Sequence, residues 1–141
     1  MREIGRREEL QLFLHYGVEA DARLFRRALA RFPDLEELWS LAESRRLSAL
    51  DFLPEACRAR LLEAAEAGFT ERFADRLRRE GVTLCMPSHE EYPALLKEIH
   101  DPPALLFVRG RLTADMPLPI AIVGARAATD YGRSVARRFG L

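Results

Sequence analysis

Arg126 stands two residues past Gly124, directly after the uninterrupted apolar run Ile120-Ala-Ile-Val123. That order of residue types suits the capture of an anion. An apolar run of this length reads as a strand covered on both faces. The backbone must turn sharply at its end, and Gly124 permits the turn and lets a ligand approach the main chain. A helix reading from Asp130 to Phe139 follows, and its first N–H groups and positive dipole end favour negative charge. Thr129 or Asp130 can cap that helix, and Thr129 offers a hydroxyl to a phosphate oxygen. The Arg126 guanidinium can fork onto phosphate. Ala125 shapes the turn, and Gly132 in the first helical turn leaves room for a close neighbour. The same residues equally suit a surface arginine on a structural turn. Gly124-Ala-Arg126-Ala is not a dinucleotide G-x-G-x-x-G fingerprint, and no Gly-Lys-Ser/Thr follows to make a Walker loop.

Other chemistry-bearing residues offer less. His15, His89 and His100 have no Cys or His at metal-ligand spacing, and Cys57 and Cys85 form no C-x-x-C pair. They read as structural or solvated histidines and small apolar fillers. Glu8-Glu9 and Glu36-Glu37 read as solvated helix faces, and Trp39 falls in an apolar stripe. No nucleophile has a base placed to activate it. Tyr92 beside Pro93 is either a packing anchor or a platform for a stacked base.

The elements that must position these groups fall into two parts. Residues 6 to about 80 read as short helices. Leu10, Phe13 and Leu14 share one face, and Leu24, Phe25, Leu29 and Phe32 repeat the pattern. Asp34 can cap a helix carrying Leu35, Leu38, Trp39 and Leu41. Pro54 suits the start of a helix over 55–67, which Gly68 ends. Thr70 opens another, with Phe73 and Leu77, that stops near Gly81. From there the pattern changes. Val82–Met86 reads as a strand, 91–99 as a short helix, Ala104–Val108 as a second strand and 113–119 as a loop. Ile120–Val123 is the third strand. Strand alternating with helix predicts an α/β sheet with parallel strands. Such a sheet needs more strands than these, so the chain is expected to be the N-terminal portion of a longer protein, the alternative being that a partner chain or a domain swap supplies the rest.

The 141 residues suffice for one domain, or a small one with part of another. No stretch approaches the roughly 20 apolar residues of a membrane helix. The N-terminus carries no apolar core of a secretory signal, so a cytoplasmic location is expected. Basic and acidic residues balance at 22 each, which argues against a general nucleic-acid binder. Their distribution is uneven. Beyond Pro119, Arg126, Arg133, Arg137 and Arg138 face Asp130 alone, so an anion site belongs at that end. Lys97 is the only lysine; the other basic residues are arginines, which suit bidentate phosphate contacts.

Two linked segments resemble a known family. Tyr92-Pro-Ala-Leu-Leu-Lys-Glu-Ile-His-Asp-Pro-Pro-Ala-Leu-Leu-Phe-Val-Arg-Gly110 is similar to the Tyr-Pro, Leu, Asp-x-Pro, Leu, Gly signature of the DNA-processing protein A family (DprA, or Smf). About ten residues on, Ile120-Ala-Ile-Val-Gly-Ala-Arg126 with Thr129-Asp-Tyr-Gly132 is similar to its VG(S/A)R…T…YG segment. The resemblance covers roughly residues 82 to 139. It implies a small helical, SAM-like or helix-hairpin-helix-like domain over 1–80 and the first part of a Rossmann-like core domain over 81–141. It further implies a bacterial protein without catalytic activity or cofactor. Such a protein binds and protects single-stranded DNA and helps load RecA recombinase in natural transformation. Arg126 would contact the DNA backbone, with Gly124 and Ala125 shaping the turn and Thr129, Tyr131 and Gly132 touching or shaping the site. A homodimer through later segments, and no membrane, are implied as well.

One departure concerns the helical part. A helix-hairpin-helix turn wants Gly-hydrophobic-Gly, and Tyr16-Gly-Val-Glu-Ala20 has one glycine. A packing or partner role is expected there. Two competing functions stay open: a Rossmann-like nucleotide-cleaving enzyme of phosphoribohydrolase type, and a helical protein-interaction module.

Overall fold

The first residues to settle are the helix caps. The structure, a computed structural model, describes residues 4–66, 68–114 and 120–140. Helix α1 spans Arg6–Gly17, and the Glu8 carboxylate reaches back to accept from the Gly5 N–H at 3.0 Å. Helix α2, Ala22–Arg31, starts where the Asp21 carboxylate accepts from the N–H groups of Arg23 and Leu24. Helix α3, Leu35–Glu43, is capped the same way by Asp34. A 3-10 turn over Leu47–Ala49 leads to Pro54 and helix α4, Glu55–Ala65. Ala67, expected to close that helix, lies outside the described residues. Gly68 takes a left-handed φ of 66° and opens helix α5, Phe69–Arg79.

The expected apolar faces meet in one core. Phe13, Leu14, Phe25, Leu38 and Leu61 are wholly buried. Burial of each such side chain is worth about 1.5–3 kcal/mol. Trp39 meets Phe13 edge-on, ring centroids 4.9 Å apart. Helices α1 and α4 approach closely because Gly17 has no side chain. A Cβ there would lie 2.3 Å from Leu61 Cδ2. Val18, in the turn that follows, is buried, and Glu19 and Ala20 take left-handed backbone. This turn serves packing, as the missing second glycine suggests. Both cysteines are also buried, and burial raises the Cys57 thiol above its ordinary range.

After α5 the chain forms a hairpin. Strand β1, Val82–Cys85, and strand β2, Leu106–Arg109, pair antiparallel, with Val82 opposite Arg109 and Cys85 opposite Leu106. The alternation of strand and helix in the sequence predicts a parallel sheet for these strands. A parallel return needs a crossover element long enough to carry the chain back along the strand. The connection holds only helix α6, Ala94–Lys97. The expected helix over 91–99 is shorter because Tyr92 belongs to a turn, its N–H donating to the His89 carbonyl. Pro93 then starts the helix, and its four residues are too short to carry the chain back along the strand. Leu84, Met86, Ala104 and Leu105 join the same apolar core as the helices. Arg26 of α2 ties the connection down, donating to the Pro102 carbonyl at 3.0 Å and Asp101 Oδ1 at 2.7 Å.

Ile120–Val123 does not form a strand among the described residues. Its continuous apolar content predicts a strand, but a strand exists through ladder partners, and here Val123 is 90% exposed. The final helix, α7, spans Asp130–Phe139 as expected. Residues 115–119 of the expected loop lie outside the described residues. No described helix is long and apolar enough to cross a membrane.

Candidate nucleic-acid interface

Extended backbone from Ile120 runs to a bend at Arg126 and Ala127 and then into α7. Thr129 is the N-cap, and its Oγ1 accepts from the Gly132 N–H at 3.1 Å. That bond fixes the helix start and leaves the hydroxyl proton free to donate outward. The N–H groups of Asp130 and Tyr131 belong to the unpaired first turn. The Asp130 carboxylate is held by Arg133 at 2.7 Å, so its charge beside the helix end is partly offset. Arg126 is exposed. Arg137 and Arg138 sit in the last turn, where the dipole favours cations.

The extended segment folds over α7 to make a cavity of about 860 Å³. Gly124, Ala125, Thr129, Tyr131 and Gly132 all line it, together with Ile122, Val123, Val135 and Phe139. The structure thus gathers five of the six expected site residues around one groove. Arg126 does not line it. The groove is mostly apolar, and no residue of 120–140 is buried. Two details of the glycines are now visible. Gly124 keeps φ outside the left-handed region, and a Cβ there would meet nothing within 4 Å, so the turn does not demand glycine. At Gly132 an added Cβ would stand 3.4 Å from Thr129 Oγ1, ordinary contact with the cap.

Tyr92 resolves toward packing. Its ring is wholly buried, and its hydroxyl donates to the Pro103 carbonyl at 2.8 Å. Burial also raises the phenol above its ordinary value. A ring so enclosed cannot stack on a base. His15 is lodged between Phe25 and Phe107, with centroids 6.3 and 5.3 Å away, and burial lowers its basicity. The two acidic pairs do more than face water: Glu9 meets Arg78, and Glu36 takes a two-point contact from Arg6. Glu36 is therefore held below the usual carboxylate range. Among the described residues no three His, Cys, Asp or Glu side chains gather in a way that would hold a metal.

Residues 83–140, from the hairpin through α7, match the family described as DNA recombination-mediator protein A. The chain is also 32% identical to the DNA processing protein DprA of Bacillus subtilis (strain 168) over 111 positions, covering 73% of this chain. The chain belongs to the DprA family. It spans 37% of the length of that Bacillus relative. The alignment with the relative is longer than the family match, so it takes in part of the helical region as well. No solved structure gives a significant match. The buried Tyr92 and the Arg126 turn both lie inside the stretch that matches the family.

Proposed function

We propose that this DprA-family protein binds single-stranded DNA along the 124–132 segment, with Arg126 on the phosphate backbone. The observation that supports this most is the pairing of an exposed, uncommitted guanidinium with a helix N-cap three residues later, at Thr129. Arg133 is engaged by Asp130, whereas Arg126 has no ion pair or hydrogen bond among the described residues. The open N–H groups at the start of α7 and the Thr129 hydroxyl supply further donors for one phosphate. Gly124, Ala125, Tyr131 and Gly132 shape the approach. In this reading Ile120–Val123, unpaired and exposed in this structure, is the segment that a Rossmann-like parallel sheet would take in as an interior strand, which its continuous apolar content fits. The domain division at residues 80 and 81 belongs to the same reading. So do protection of incoming strands, RecA loading, a homodimer, a cytoplasmic location and the absence of catalysis.

The test is an anisotropy titration of a labelled oligothymidine with the protein over a range of salt. Binding should weaken as salt rises, and more so for Arg126→Ala, whose log–log salt slope should fall by about 0.7. An Arg126→Ala protein with unchanged affinity and slope would remove Arg126 from the site.

A further inference from the structure

We propose that the exposed face of α2 is a second contact for a single nucleic-acid strand, meeting its phosphates through Arg23, Arg27 and Arg31. Helix α2 reads Ala-Arg-Leu-Phe-Arg-Arg-Ala-Leu-Ala-Arg, with four arginines and no acid. Its buried residues are Ala22, Phe25 and Ala28, so the arginines lie outward. Arg26 is committed to Asp101 and Pro102 and takes no part. Arg23, Arg27 and Arg31 remain, spaced four apart. They form one row, with a rise of about 6 Å from each to the next.

The row is only weakly compensated, by one long contact to Asp21. Arg23 is 80% exposed at its side chain, and the carboxylate oxygen nearest it, on Asp21, is 4.0 Å away. The other Asp21 oxygen is occupied by the helix cap. Arg27 lies over the Phe52 ring, 5.5 Å from its centroid. Stacking of that kind steadies the guanidinium and leaves its in-plane N–H groups for an anion. Arg31 is exposed, and its i−4 neighbour is Arg27 itself. On the other helices Arg6 is matched with Glu36, Arg60 with Glu19, Arg76 with Glu80 and Arg78 with Glu9.

In a chain of zero net charge this local excess stands out. Like charges at this spacing oppose the helix, and Arg23 opposes its dipole. A bound polyanion would relieve both. A straight row suits a chain of phosphates. A membrane surface would want exposed apolar anchors beside the charges, and the exposed α2 residues besides the arginines come to Ala30 alone.

The inference extends the single-strand reading to a second surface, and the two are separable by experiment. The full chain is titrated against labelled oligothymidine at several salt concentrations, as the native sequence, as Arg23→Gln/Arg27→Gln/Arg31→Gln, as Arg126→Ala, and as the combination. The triple variant should bind about tenfold or more weakly at low salt, with a salt slope smaller by about 2. The same change should appear in the Arg126→Ala background. A thermal melt checks the fold, and Arg27→Gln alone, with a slope change of about 0.7, serves if the triple variant is unfolded. Unchanged affinity and slope overturn the proposal. So does a loss confined to polyglutamate or to anionic vesicles, which would give the face to an acidic protein or a membrane. If only Arg126→Ala is silent, the α2 contact stands and the Arg126 reading falls. If the native chain does not bind the strand, both fall.

Discussion

Residues 4–114 and residues 120–140 use their apolar side chains in opposite ways. In the first stretch Phe13, Phe25, Leu38, Leu61 and Tyr92 are sealed, and helices and hairpin share one core. In the second, Ile120, Val123, Tyr131 and Phe139 are each more than 70% exposed, yet the helix forms with a proper cap. Local signals such as Thr129 are enough to start a helix; they do not bury it. The difference separates what holds this protein together from what it offers to a ligand.

The comparison breaks most readily at Phe13. Phe13→Ala should cost about 3–5 kcal/mol, because the ring is wholly buried and its edge contact with Trp39 goes too. Chemical denaturation would measure it, and a cost below 1 kcal/mol would mean the core is not where the structure puts it. Next comes Tyr92→Phe, which leaves the Pro103 carbonyl without its buried donor and should cost about 1–3 kcal/mol.

A smaller effect follows pH. His15 is buried between two rings and its basicity is lowered, so the folded state prefers neutral imidazole. Its contribution is therefore complete above the ordinary imidazole range and fades as pH falls through and below it. His15→Phe should flatten that part of the melting-temperature profile relative to the native chain; parallel profiles would remove His15 as the cause. The smallest effect belongs to Arg126→Ala, which should leave stability within about 0.5 kcal/mol while binding falls. A large stability loss there would erase the contrast between the two stretches.

The helices were legible because their signals are local. Asp21, Asp34, Pro54 and Thr129 cap or start helices within one turn of themselves, and the apolar spacing of α1 to α3 names the buried faces. The hairpin's direction was not legible, since strand pairing joins residues more than 20 positions apart and alternation alone does not orient it. Nor does any nearby residue announce that Arg26 will meet Asp101. The grouping of Gly124, Thr129 and Gly132 around one groove follows from a turn and a helix adjacent in sequence. Val135 and Phe139 were missed there, although the helical period places them on the same side as Tyr131. The apolar run at Ile120 was read by composition, which cannot tell a paired strand from an unpaired one.

Gly17 carries a consequence of another kind. The space its missing side chain would fill is already held by Leu61, down to the Cγ atom 2.5 Å from an ideal Cβ. Positions 17 and 61 therefore draw on a single shared volume. Among related sequences the two columns should change together, a larger residue at one accompanied by a smaller at the other. Drift at either position alone is blocked, so the α1–α4 seam should evolve in paired steps.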